Sequence, residues 1–131
     1  MKLVDTSAWV EFLRRKGDAN VKHAVAWLLQ ADQAAYTCPI RFELLSSVKA
    51  GEENDVEQAF ALARHFRFEA DDWRAAALLE RQLRGRGLAL PRNDLFVATV
   101  AMRTNLTLVC RDTHFDTVRK VAGDSLKVEQ L

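Results

Sequence analysis

The chain has 131 residues, 49% of them apolar and 28% charged, which suits one globular domain, 1–131, with a real core. Lys and Arg number 19 against 18 Asp and Glu, a net charge of +1, so any cationic footprint for nucleic acid must be local. Two cysteines without a C-x-x-C pair argue against a disulfide scaffold and against zinc, and no apolar run reaches transmembrane length.

The N-terminus enters Lys2-Leu3-Val4-Asp5 directly, without a signal-peptide apolar stretch, so a reducing, cytoplasmic setting is expected. Leu3-Val4 reads as a short buried strand. Asp5-Thr6-Ser7 supplies N-cap residue types for a helix to about Arg15, and Gly17-Asp18 breaks it. Val21, Ala24, Val25 and Leu28 recur at helical spacing over about 20–30. Ala34–Thr37 is a second strand. Pro39 suits a first helical position for a helix over 40–49, ended by Gly51. A fourth helix is expected over 56–65, followed by a strand or connector at Phe66-Arg67-Phe68. Asp71-Asp72 should cap a helix with Trp73, Ala76, Ala77, Leu79 and Leu83 on one face, closed by Gly85 and Gly87. A helix over 94–103 carries a narrow small-residue face, Val97, Ala98 and Ala101. Leu106–Val109 is a strand, a short helix follows near 115–121, and Leu126–Val128 is the last strand. Strands separated by helices imply parallel pairing, hence an α/β fold with a short parallel sheet of four to five strands flanked by helices.

Four acids stand out against this frame. Asp5 follows the first strand, Asp112 follows Leu106–Val109, Asp94 opens a helix, and Glu43 lies on the helix that starts near Pro39. In an open α/β sheet the C-terminal strand ends share the crevice where ligands bind. Carboxylates gathered there repel one another unless a cation neutralises them, and oxygen-only ligands suit Mg²⁺ or Mn²⁺. Each acid has a plainer explanation too: Asp5 and Asp94 suit helix caps, and Asp112 suits a turn. Glu43 falls at the edge of an apolar stripe, where a carboxylate needs a partner, and Ser46 or Ser47 is within reach for that role. Asn93 either caps its helix or positions a water.

Beyond these patterns, Val4-Asp5-Thr6-Ser7-Ala8-Trp9-Val10 resembles the opening of PIN-domain proteins, and in particular the VapC toxins of bacterial toxin–antitoxin pairs. Glu43-Leu44 resembles that family's second acid, Asn93-Asp94-Leu95-Phe96-Val97-Ala98 its third block, and Leu108-Val109-Cys110-Arg111-Asp112-Thr113-His114-Phe115 its fourth. The resemblance covers nearly the whole chain. It implies a PIN-like fold, a Mg²⁺- or Mn²⁺-dependent endoribonuclease, and inhibition by a VapB-type antitoxin. It implies Asp5, Glu43, Asp94 and Asp112 as catalytic metal-holding acids, with Thr6 and Ser7 offering hydroxyls to a water or phosphate. The sequence departs from many relatives at His114, where they carry another acid. Asp116 is a nearby acid able to compensate, His114 is read as a partly exposed surface residue, and His23 and His65, in amphipathic helices, get no role.

Substrate phosphates call for local cations. Arg84, Arg86 and Arg92, with Arg81, cluster before Asp94 and are the candidate RNA contacts; Arg14, Arg15 and Lys16 equally suit a solvated helix end. Trp9, Phe12 and Trp27 on the first two helices, with Phe60 and Phe66, are mainly core, and a surplus there would form a groove for an antitoxin helix. The expected assembly is a homodimer or a toxin–antitoxin hetero-oligomer, with no membrane association. Other classes fit less well. A receiver-like Mg²⁺-binding signalling domain needs an acceptor Asp after Tyr36-Thr37, and none is there; a dehalogenase-type phosphatase needs D-x-D where Asp5-Thr6-Ser7 stands. A PIN-like binding module without catalysis is the remaining alternative; the intact set of four acids argues against it, and an RNA-cleavage assay separates the two.

Overall fold

The computed structural model describes residues 1–131. Five strands form one parallel sheet: β1 (Lys2–Val4), β2 (Ala34–Thr37), β3 (Arg64–Phe66), β4 (Thr107–Cys110) and β5 (Val128–Gln130), in the order β3-β2-β1-β4-β5. Seven helices connect and flank them: α1 (Thr6–Leu13), α2 (Ala19–Gln30), α3 (Cys38–Ser47), α4 (Glu53–Ala61), α5 (Ala70–Gly85), α6 (Arg92–Thr104) and α7 (His114–Ala122). Leu3 and Val4 are wholly buried and pair with Leu108 and Val109, so the β1/β4 register sits in the middle of the core. That core is one contiguous cluster of 28 buried residues, drawn from every strand but the two at the edges and from all seven helices. No helix is long and apolar enough to cross a membrane.

Several boundaries differ from the sequence reading, each for a local reason. α1 stops at Leu13 rather than Arg15, because Glu11 turns its carboxylate to the backbone N–H of Asp18 and the chain folds back. Gly17 lies in this turn, and a Cβ there would come within 1.8 Å of the Glu11 carbonyl oxygen. α4 ends at Ala61, and β3 is Arg64–Phe66 rather than 66–68. Tyr36 of β2 stacks on both Phe60 and His65, and the ladder pairs Tyr36 with His65, so the edge strand begins two residues early. α3 begins at Cys38 and ends at Ser47, with Gly51 in the turn beyond. α6 begins at Arg92 after Pro91, not at Asp94. β4 starts one residue later than read. β5 starts two residues later, because Leu126 fills the core before the strand begins instead of belonging to it.

Helix α5 is capped by Glu69, not by Asp71-Asp72. Glu69 and Asp72 form a capping box, each side chain accepting the other's backbone N–H. Of the residues read as one apolar face, Ala76, Leu79 and Leu83 are buried, whereas Trp73 and Ala77 are exposed. Asp72 is 1% exposed and also accepts from Arg103 Nε at 2.8 Å, while Arg103 donates onward to the Arg67 carbonyl. Asp72→Ala removes the capping-box acceptor and the Arg103 pair together, and should destabilise the protein by about 2 kcal/mol, measured by urea unfolding, whereas loss of an ordinary cap costs about 1 kcal/mol.

Candidate active site

Strand order places the site. From β1 the chain builds outward to β2 and β3 on one side, then returns to place β4 and β5 on the other, so the order reverses between β1 and β4. The crevice beyond their C-terminal ends is the topological switch point of the sheet. Asp5 leaves β1 there, and its backbone N–H continues the ladder to the Val109 carbonyl at 2.9 Å. Asp112 leaves β4 two residues past Cys110, beside it. Asp94 reaches the same place from the first turn of α6, and Glu43 from the middle of α3.

Local bonds hold each carboxylate. Asp5 caps α1: its Oδ2 accepts the Ser7 backbone N–H at 3.1 Å and the Ser7 hydroxyl at 2.7 Å. Ser7 Oγ accepts in turn from the Arg111 backbone N–H at 2.9 Å, tying the start of α1 to the loop after β4. The Thr6 hydroxyl donates to Glu43 Oε1 at 2.8 Å, which brings α3 to α1. Asp112 Oδ1 accepts the His114 backbone N–H at 3.0 Å. The hydroxyls of Thr6 and Ser7 thus donate to the acids themselves. Glu43 takes its partner from Thr6; Ser46 and Ser47 bond to backbone carbonyls of their own helix. Asn93 does not cap α6: its amide donates to the Pro39 carbonyl at 3.0 Å, pinning α6 to α3.

His114 is exposed, as expected, and its imidazole also lies beside two of the acids. Its Nδ1 lies 2.8 Å from Asp94 Oδ2 and 3.9 Å from Asp112 Oδ2, with half of the side chain exposed. The available signal was its position, two residues past Asp112 at the first turn of the next helix, which turns a side chain back over the strand end. Asp116, two residues further on, is exposed, and its charge acts on Cys110.

Burial, the largest cause, pushes the Asp5 carboxyl up to about 7; its Ser7 bonds pull it down, and Asp112 and Asp94 push it up further. Asp94 is raised by burial as well, partly offset by His114, with Asp112 and Glu43 adding to the rise. Desolvation alone would lower His114, but the Asp94 hydrogen bond and the charges of Asp112, Asp94 and Asp5 outweigh it and raise it. Burial and then the Asp5 and Asp112 charges push the Cys110 thiol up to about 12, so it stays protonated, and both cysteines are free. The acids therefore feel one another, as the crevice argument requires.

One atom tests whether these residues suit a cation. Asp5 Oδ1 is buried and has no hydrogen-bond partner, in a side chain 2% exposed. An unpartnered buried carboxylate oxygen is expensive, and a hard cation is the ligand that relieves it. No three His, Cys, Asp or Glu side chains are already gathered closely enough to form a cage for a metal ion. Mg²⁺ does not require one, since it keeps several waters and is held through one or two carboxylates.

The raised Asp5 carboxyl sets a stability prediction. Its folded pKa, about 7, exceeds the ordinary value of 3.8, so the folded protein binds a proton that the unfolded chain releases between those limits. The resulting stabilisation is present below pH 4 and is lost as pH rises to 7. Asp5→Asn removes the ionisation, and in metal-free buffer should stabilise the fold by up to about 4 kcal/mol above pH 7, a gain that vanishes towards pH 4. Thermal melts of both proteins across that range check it.

The candidate RNA-contacting arginines are less free than their clustering suggests. Arg84 and Arg92 both pair with Glu80, at 3.2 and 3.3 Å, and Arg86 donates to the Lys120 carbonyl. All three are exposed, and exposed pairs of this kind are weak. Arg14 pairs with Glu11. Arg111, given no role from the sequence, holds Asp18 at 3.0 Å at the edge of the site.

The apolar surplus also lies elsewhere than expected. Trp9 is wholly buried against Phe12 and Phe60, and only Trp27 of its group is well exposed. The exposed aromatic face instead joins α3, α5 and α6, where Phe42 is 67% and Trp73 60% exposed. Trp73, Phe68 and Phe96 pack edge to face, and together with Pro39 and Phe42 they line a groove of about 430 Å³ beside Asn93. A smaller groove of about 170 Å³ runs between α1, α3 and α4 over Val10, Leu13, Leu44 and Val48.

With this geometry described, comparison with known proteins gives a consistent picture. A family model for the PIN domain matches residues 2–121. The chain is 33% identical over 129 residues to the VapC ribonuclease Mb1587 of Mycobacterium bovis, covering 94% of this chain and 95% of that one. Ribonuclease VapC11 of Mycobacterium tuberculosis matches to the same extent. Among solved structures, VapBC2 from Rickettsia felis bound to a promoter DNA fragment superposes with a TM-score of 0.78, at 18% identity over 99% of this chain and 98% of that one. VapBC-5 of Mycobacterium tuberculosis superposes with a TM-score of 0.67, at 21% identity over 99% and 98%. At these identities the superpositions establish the fold.

Proposed function

This chain belongs to the PIN-domain family, among its VapC ribonucleases, and on that premise we propose that it is a divalent-metal-dependent endoribonuclease, the toxin of a VapBC-type toxin–antitoxin pair. The observation that carries the metal-dependent part is Asp5: a buried carboxylate with an unpartnered oxygen at the switch point of the sheet, under the charges of Asp94 and Asp112.

Asp5, Asp94 and Asp112 would hold the cation, Mg²⁺ or Mn²⁺, with Glu43 on the α3 side. When bound, the cation supplies neutralisation of the phosphodiester's anionic oxygens and a lowered pKa for water. The chain's own residues do the rest. Ser7 and Thr6 fix the rotamers of Asp5 and Glu43, so two of the acids are oriented before substrate arrives. Carboxylate oxygens not engaged with metal can accept the proton of the attacking water. Arg92 and Arg84 flank the start of α6, and their weak exposed pairs with Glu80 can exchange for RNA phosphates at little cost.

A VapB-type antitoxin is the proposed partner, within a homodimer or a toxin–antitoxin hetero-oligomer. The Phe42–Trp73 face supports this, because large exposed aromatics mark protein contact surfaces. The catalytic reading is tested by incubating the purified chain with RNA. Cleavage should require Mg²⁺ or Mn²⁺, stop in EDTA and return on adding metal back. Strong cleavage in excess chelator would overturn the metal mechanism.

A further inference from the structure

We propose that the imidazole of His114 is a nitrogen ligand of the divalent cation, and that it biases the site towards Mn²⁺ over Mg²⁺. The inference rests on the metal-dependent reading above and adds a ligand that no carboxylate argument supplies.

Geometry carries it. His114 Nδ1 and Asp94 Oδ2 are 2.8 Å apart. With metal–donor distances of about 2.1 Å, two neighbouring donors of an octahedral shell sit roughly 3 Å apart. The pair is therefore already spaced as adjacent ligands, and replacing their shared proton by a cation demands little movement. Asp112 Oδ2 lies 3.9 Å from the same nitrogen, within reach of the same ion. The His114 backbone N–H is bound to Asp112 Oδ1, so imidazole and carboxylate are fixed relative to one another by the first turn of α7. The second, independent observation is the buried, unpartnered Oδ1 of Asp5, which leaves a donor without a partner in the same crevice. Nor does packing explain the imidazole's position, since its side chain is half exposed.

Chemistry gives the direction of the bias. Mg²⁺ is a hard ion that prefers an all-oxygen shell, whereas Mn²⁺, although it also favours oxygen, is a first-row transition ion that accepts an imidazole nitrogen more readily. A site of carboxylates alone has no such preference to express. Adding one nitrogen should strengthen Mn²⁺ binding and leave Mg²⁺ binding nearly as it was.

Pulsed electron paramagnetic resonance on the Mn²⁺-loaded full chain tests this, because a coordinated imidazole imprints ¹⁴N modulation on the Mn²⁺ echo. His23 lies on α2, and His65 sits against Cys38 and Tyr36, so neither competes for the assignment. The wild type should show the modulation. His114→Ala and His114→Gln should both lose it, and calorimetric titration should show Mn²⁺ binding about tenfold weaker with Mg²⁺ binding changed by less than about twofold. Bound Mn²⁺ without nitrogen modulation would overturn the inference while leaving the carboxylate site standing. So would recovery of the metal preference by His114→Gln, since an amide can still hydrogen-bond Asp94, and His114 would then only orient that acid. Absence of Mn²⁺ binding to the wild type at millimolar metal would overturn the inference together with the metal-dependent reading beneath it.

Discussion

Asparagine at position 94 is expected to reduce RNA cleavage by at least about a thousandfold, roughly 4 kcal/mol of lost transition-state stabilisation. Asp94 is buried in the first turn of α6, yet the helix begins at Arg92, and no side chain caps it. The plain explanation for an acid at a helix start, capping, therefore does not account for it. Its partners are other charged groups: His114 by hydrogen bond, Asp112 and Glu43 by repulsion. Asparagine keeps the shape and removes the charge, so the fold should survive and cation affinity should fall. Circular dichroism and thermal melting supply the folding control, and cleavage is read in saturating Mn²⁺. Wild-type cleavage by a folded Asp94→Asn protein would remove Asp94 from the site.

Expression of the chain alone should arrest growth, and co-expression of the neighbouring gene's short product should relieve the arrest completely. A ribonuclease whose site opens to solvent is hazardous to its host unless a partner covers it. The partner's chemistry can be stated in part. An apolar segment gains most by burying Phe42 and Trp73, and an arginine suits the acids because its planar fork matches carboxylates in pairs. Burial is not screened by salt, so a complex held mainly by apolar contact keeps its affinity at moderate ionic strength. Serine at both Phe42 and Trp73 should weaken the assembly by about 3 kcal/mol or more, read as loss of co-purification at low concentration. Healthy growth at verified expression of the chain alone would favour a non-catalytic binding module.

What the sequence discloses about this site follows from how each residue is held. Asp5 and Asp112 are legible because they follow short apolar strands, and strands separated by helices are parallel neighbours or near-neighbours. Glu43 is legible because its helical position leaves it at the edge of an apolar stripe. The element types follow from periodicity. The boundaries do not, and the misses have identifiable causes: Leu126 is apolar for the core and not for β5, and the Tyr36–His65 stack pulls β3 two residues earlier. The contact of His114 with Asp94 is not legible, because periodicity reports which face a residue lies on and not which side chain lies beside it. The aromatic face was missed for a related reason. Phe42, Phe68, Trp73 and Phe96 come from four separate stretches of chain, and only the packing of α3, α5 and α6 makes them one surface. The pairing of Arg84 and Arg92 with Glu80 is likewise a matter of side chains meeting across a helix start, invisible to charge counting.

The most direct test of the central claim, that these carboxylates form a divalent-metal site, is a crystal of the protein soaked in Mn²⁺ and measured at a wavelength where manganese scatters anomalously. The account predicts an anomalous peak at the crevice between the ends of β1 and β4, within ligand distance of at least one of Asp5, Asp94 and Asp112 and near the others. A map with no peak there at saturating Mn²⁺, or with manganese bound only elsewhere on the chain, would contradict it.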